Sequence, residues 1–114
     1  MTRAGNGHPG LHLDVLLYED EGGWAAHCLQ LDLVECADTP ETAMGNMLDV
    51  IRVHVEYAIE NDNVEYLFHP APPDVWKRFL TSKWVGSQTI HIETRPNMLS
   101  SVVVQESTTI AHAA

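Results

Sequence analysis

CLQLDLVECADTPETAMGNML, residues 28–48, alternates like a strand, turns through Ala37-Asp38-Thr39-Pro40, then continues with apolar residues at helical spacing. Upstream of the turn, Leu31 and Leu33 alternate with Asp32 and Val34, a period of two that predicts a strand over 31–37. Downstream, Thr39 is placed to cap a helix and Pro40 to take its first position, where the missing N–H is not needed. Glu41 adds negative charge at the positive end of the helix dipole. Met44, Met47, Leu48, Ile51, Val55, Ala58 and Ile59 then recur at i, i+3, i+4 and i+7, opposite Asn46, Asp49, Arg52, Glu56 and Glu60. That stripe predicts a long helix with one face on a sheet. Asp49 and Glu56 flank Arg52 at helical distances, which reads as a solvated face.

Working back toward the N-terminus, Trp24–Leu29 reads as a strand returning from the acidic turn Glu19-Asp20-Glu21-Gly22-Gly23. Its hairpin partner is Leu11–Tyr18, with Leu11, Leu13, Val15 and Leu17 on one face and His12, Asp14, Leu16 and Tyr18 on the other. Residues 1–10 hold three glycines and a proline without apolar periodicity, and are expected to form a disordered arm.

Toward the C-terminus, Asn61-Asp62-Asn63 ends the long helix, and Val64–Phe68 is expected as a fourth short strand before the breaker His69-Pro70-Ala71-Pro72-Pro73. Asp74–Trp84 is expected as a second helix with Val75, Trp76, Phe79, Leu80 and Trp84 apolar, Lys77, Arg78 and Lys83 basic, and Gly86 as terminator. Gln88–Thr94 alternates as a last strand, and Val102-Val103-Val104 is expected to add an edge pairing. The resulting expectation is an α+β fold: a three- to four-stranded antiparallel-type sheet packed by one long helix, β-β-β-α-β, with a short second helix and a C-terminal strand. A single domain is expected over 11–94, with a flexible tail over 95–114.

The 114 residues carry 6 Lys+Arg against 16 Asp+Glu, a formal net charge of −10. Such a field repels phosphate backbones and attracts cations or basic protein surfaces, so direct nucleic-acid binding is disfavoured. No stretch approaches a membrane span and MTRAGNGHPG lacks the apolar core of a signal peptide, which points to a cytoplasmic protein without membrane association. Cys28 and Cys36 are too few for a disulfide framework and are expected as thiols.

The seven histidines, His8, His12, His27, His54, His69, His91 and His112, show no tight metal-binding spacing. His27 and Cys28 are adjacent in a strand and point to opposite faces. The chain has no GxSxG, no glycine-rich phosphate loop and no HExxH. Asp14 with Asp49 and Glu56 suggests a two-metal nuclease only if the helix carboxylates face the sheet, and their position opposite the apolar stripe argues against it. No catalytic, metal or cofactor site is expected.

YEDEGGWAAHCLQLDLVECADTPETAMGNMLDVI resembles the HicB family of antitoxin-like proteins through Gly22, Gly23, Trp24, Cys28, Leu31, Asp32, Asp38, Thr39, Glu41 and Ala43. The resemblance covers residues 11 to about 62 and departs at Ala37, where that family commonly has glycine, and at Thr42, where it commonly has glutamate. It implies a β-β-β-α-β unit similar to a partial ribonuclease H fold without the catalytic carboxylates. It also implies a partner, a small basic HicA-type toxin that cleaves messenger RNA. The C-terminal DNA-binding module that many such proteins carry is not evident, since Arg95 is the only cation over 85–114.

Two functions follow as expectations: an antitoxin-type protein that neutralises a basic toxin by contact, and a solitary HicB-like oligomeric scaffold or ligand-binding module acting through the proline-rich loop and the Trp76/Trp84 helix. A homodimer or higher oligomer is expected because one helix leaves a sheet face and two edges open. The residues assigned to that interface or to a partner are Leu16, Tyr18, Trp76, Phe79, Leu80 and Trp84. The competing arrangement has the second helix fold back over the open face and complete a monomer.

Overall fold

A computed structural model describes residues 11–94 and 98–109. Strands β1 (Leu11–Asp20) and β2 (Gly23–Cys28) form the expected hairpin. Its two-residue turn holds Glu21 at φ 50° and Gly22 at φ 84°, the left-handed pair that matches the twist of adjoining strands. Gly23 meets a different demand: a Cβ there would stand 2.8 Å from the Ala37 carbonyl oxygen on the neighbouring strand β3 (Leu33–Ala37). β3 begins two residues later than the alternation predicts, because Asp32 adopts φ 55° and donates its N–H to the Cys28 carbonyl at 2.8 Å. Leu31 is consequently a buried turn residue.

Helix α1 (Pro40–Glu60) starts as its sequence dictates: the Thr39 hydroxyl accepts from the Thr42 N–H at 3.1 Å and Pro40 opens the first turn. Ala43, Met44, Met47, Ile51 and Val55 are buried against Leu13, Val15, Leu17, Ala26, Cys28, Val102 and Val104. This is the main core. Beyond α1, the expected fourth strand at Val64–Phe68 is instead a 3₁₀ turn, η1 (Val64–Leu67), with the Tyr66 N–H bonded to the Asn63 carbonyl at 3.0 Å. Leu67 packs on the main core from one side of this turn, a period of three that a short apolar run does not distinguish from a strand.

Helix α2 (Pro73–Leu80) is shorter than expected. The Thr81 and Ser82 N–H groups bond back to the Arg78 and Phe79 carbonyls and close it, so Trp84 belongs to strand β4 (Lys83–Thr94). Gly86 lies at a register shift in β4 and ends no helix. Strand β5 (Met98–Thr108) then enters between β1 and β4.

The sheet therefore has five strands in the order β3-β2-β1-β5-β4, with β5 parallel to β1 and all other pairs antiparallel. The fold is α+β with the long helix following three strands. Three expectations are corrected here. The sheet is mixed, because α1 and α2 carry the chain back so that β5 runs along β1 in the same direction. Val102–Val104 is a central segment, with Leu11 opposite Val102 and Leu13 opposite Val104. The tail expected from 95 onward is strand from 98 to 108, so the domain extends beyond 94; within 101–108 the buried apolar residues are Val102 and Val104 alone, too few to display alternation. The expected arm at 1–10, and residues 95–97 and 110–114 of the expected tail, lie outside the described residues.

The second sheet face carries its own small core, in which Leu16 and Leu29 are buried beneath Ala71 and Val75, with Tyr18, Trp76 and Phe79 packed around them. Backbone bonds from Ala71 N–H to the Leu29 carbonyl (2.8 Å) and from His69 N–H to the Gln30 carbonyl (3.0 Å) pin the proline-rich segment to the β2–β3 turn. α2 thus folds back over the face that one helix leaves open.

Candidate functional site

The six residues assigned to an interface separate into three groups. Leu16 is fully buried inside the chain and offers nothing to a partner, a correction that follows from the packing of α2. Tyr18, Trp76 and Phe79 are half-buried around the same small core, Trp76 and Phe79 meeting edge to face at 6.0 Å. Leu80, at the end of α2, and Trp84, near the start of β4, remain 79% and 61% exposed, and Val85 beside Trp84 is exposed too. The Trp84 indole N–H donates to the Gln105 amide oxygen at 2.7 Å, and Gln105 donates on to the Ser87 hydroxyl at 3.1 Å, so this exposed indole is held in one orientation.

Beneath α2, the Tyr18 hydroxyl is 3.4 Å from Nδ1 of His27, and Nε2 of His27 is 2.7 Å from an oxygen of Asp32. The Arg78 guanidinium lies over the Tyr18 ring, 4.8 Å from its centre. Burial pushes the Tyr18 hydroxyl above its ordinary range, and Arg78 opposes that effect without reversing it. A phenol held in its neutral form is a hydrogen-bonding group and no nucleophile. The chain Tyr18–His27–Asp32 was not anticipated from sequence; its only signal is the spacing of a strand histidine five residues before an aspartate in a turn.

The carboxylates that the sequence offers for metal chemistry do not converge. Asp14 lies on the α2 side of the sheet, its backbone N–H and carboxylate both bonded to the Gln30 amide at 2.8 Å, whereas Asp49 and Glu56 belong to α1 on the opposite side. Cys28 points into the α1 core, where burial pushes its thiol to about 11, and His27 points to the other face. Among the described residues no group of three His, Cys, Asp or Glu side chains is placed to hold a metal ion. No helix among them is long and apolar enough to cross a membrane.

Two surface features do stand out. Asp20, Glu21 and Asp38 line one shallow cleft where the β1–β2 turn meets the joint before α1. They belong to a stretch, residues 4–51, that contains Asp14, Glu19, Asp20, Glu21, Asp32, Glu35, Asp38, Glu41 and Asp49 and not one lysine or arginine. β3 runs through the middle of that stretch and is a sheet edge: it pairs with β2 alone, and among the described residues no other backbone hydrogen bond reaches 33–37.

At the Leu33 end of this edge lies an open groove of about 520 Å³ between α1 and η1, walled by Leu31, Leu33, Val53, Tyr57, Tyr66 and Leu67. Val53, Tyr57 and Tyr66 are 62%, 62% and 71% exposed, an unusual amount of apolar surface for one short stretch of wall. Residues 28–48, read for their backbone, conceal both features, because a free edge depends on which strands pair and the groove on where η1 lands.

Compared with protein-family models, curated proteins and solved structures, the chain matches none.

Proposed function

We propose that this chain is a cytoplasmic, HicB-like antitoxin-type binding protein that neutralises a small basic HicA-type toxin by protein–protein contact. The single observation that carries the reading is the row of carboxylates in residues 4–51, a stretch without lysine or arginine, through which runs a sheet edge that no strand covers among the described residues. An excess of carboxylates raises the local concentration of a basic protein and speeds its association. The order of three antiparallel strands, a long helix and a later strand parallel to β1 agrees with the β-β-β-α-β unit that the family resemblance implies. The same charge argues against nucleic acid as the direct partner.

Self-association is part of the proposal and uses the other edge. From Lys83 to Ile92, β4 bears no carboxylate and exposes Trp84 and Val85, so two copies meet there without carboxylate repulsion. The apolar groove favours a second reading, a solitary HicB-like scaffold that holds a small apolar ligand between α1 and η1.

Co-expression separates the two. If a short basic reading frame adjoins this gene, its product expressed alone should arrest growth, and this protein should relieve the arrest and co-purify with it. Absence of such a frame, or an arrest this protein leaves untouched, contradicts the antitoxin reading.

A further inference from the structure

We infer that the free edge of β3 is a docking site for a basic, extended peptide segment, which adds to the sheet as a sixth strand and seats an apolar side chain in the groove at the Leu33 end. This rests on the reading of the chain as a protein-binding module and not on the identity of its partner.

Three observations converge on one line of surface. The outward backbone groups of residues 33–37 have no partner among the described residues, which makes the edge a template for strand addition. The side chains of Leu33, Glu35 and Ala37 alternate on the α1 side, where Leu33 forms part of the groove wall. A strand laid beside β3 therefore presents every second side chain to Leu33, Val53 and Tyr57 at one end and to Glu35 toward the other.

Charge selects the occupant. If two copies paired antiparallel through β3, the register that engages all of 33–37 would set Glu35 against Glu35 and Asp32 against Asp38. Carboxylates directly opposite one another destabilise a strand pair, so self-pairing in this register is opposed at its centre and at both ends. A lysine- or arginine-bearing strand meets the opposite situation, since among the described residues no cation of this chain pairs with Glu35 or Asp38. The edge therefore rejects its own kind and accepts a basic segment.

Amide hydrogen exchange on the full chain provides the test. The probe is a ten-residue peptide of alternating lysine and valine; a lysine–proline peptide of equal charge, which cannot complete a strand ladder, is the control. The lysine–valine peptide should slow exchange at outward-facing amides of 33–37 by at least tenfold, and the lysine–proline peptide should not. Glu35→Gln with Asp38→Asn should weaken the protection by at least fivefold at low salt. Unchanged urea midpoints confirm that this pair of substitutions leaves the fold intact. No slowing, equal slowing by both peptides, or slowing confined to β4 overturns the inference. A stoichiometric complex with a basic partner whose footprint avoids β3 also overturns it while leaving the protein-binding reading in place.

Discussion

Nε2 of the buried His27 lies 2.7 Å from Oδ1 of Asp32, tying the end of β2 to the left-handed residue from which β3 departs. The contact does for this turn what a glycine does for the β1–β2 turn: it stabilises a backbone conformation that most side chains resist. It also satisfies a ring nitrogen that burial removes from water.

Asp32→Ala should therefore act twice, leaving the imidazole short of a partner and placing a methyl group at φ 55°. A loss of about 1–3 kcal/mol is expected. Asp32→Asn keeps a side-chain oxygen and tolerates the left-handed region, so its loss should be clearly smaller. Urea unfolding of the two variants checks this, and equal stability of Asp32→Ala and the parent protein would count against the role given to the pair.

The two cysteines should differ in reactivity. Cys36 is exposed on β3, whereas Cys28 is buried with its thiol pushed from an ordinary 9.0 to about 11. A thiol reagent at pH 8 should modify one group per folded chain and two after denaturation. The pH dependence of stability has a defined sign. The unfolded chain releases the Cys28 proton at lower pH than the folded one, so the stability this thiol contributes is full below 9.0 and is lost as pH rises toward about 11. Tyr18, raised in the same direction, adds to the decline at alkaline pH.

Leu16 and Leu80 give a paired test of the packing of α2. Leu16→Ala should cost about 2–5 kcal/mol, because the side chain is fully buried between the sheet and Val75. Leu80→Ser, at a residue 79% exposed, should change monomer stability by less than about 0.5 kcal/mol. Similar costs for the two would mean that α2 does not cover the sheet as described.

How much of this was readable in the chain depended on the range of the signal. Thr39, Pro40 and the Met44–Ala58 stripe specify α1 through neighbours a few residues apart, and the Glu21-Gly22 turn does the same for the first hairpin. β5 failed that test. Its place depends on Leu11 and Leu13 meeting Val102 and Val104 some ninety residues away, and Ser100, Ser101, Gln105 and Ser107 interrupt any apolar pattern. Trp76, Leu80 and Trp84 share a helical spacing that places Trp84 on a helix, while the turn at Thr81-Ser82 that puts it in β4 carries no glycine or proline to announce it. Leu80 and Trp84 are legible as apolar residues in excess of what a short helix needs to dock, whereas the groove and the free edge arise from topology and leave no local trace.

Self-association through β4 predicts, by light scattering at micromolar concentration, a mass of twice 12.7 kDa. Trp84→Glu and Val85→Glu should each shift it toward the monomer, because both residues are exposed on that edge. A mass of 12.7 kDa that stays constant over a tenfold rise in concentration would contradict the dimer.

The central claim is that the acidic half of the molecule holds a basic protein. Its most direct measurement is purification of the tagged protein from its own cell, with the bound material quantified as salt is raised, for the parent and for a variant carrying Asp20→Lys, Glu21→Lys and Asp38→Lys. The account predicts one small basic protein in stoichiometric amount, released progressively by salt and absent from the charge-reversed variant. A partner that is not basic, or a basic partner retained equally by the charge-reversed variant, would contradict it.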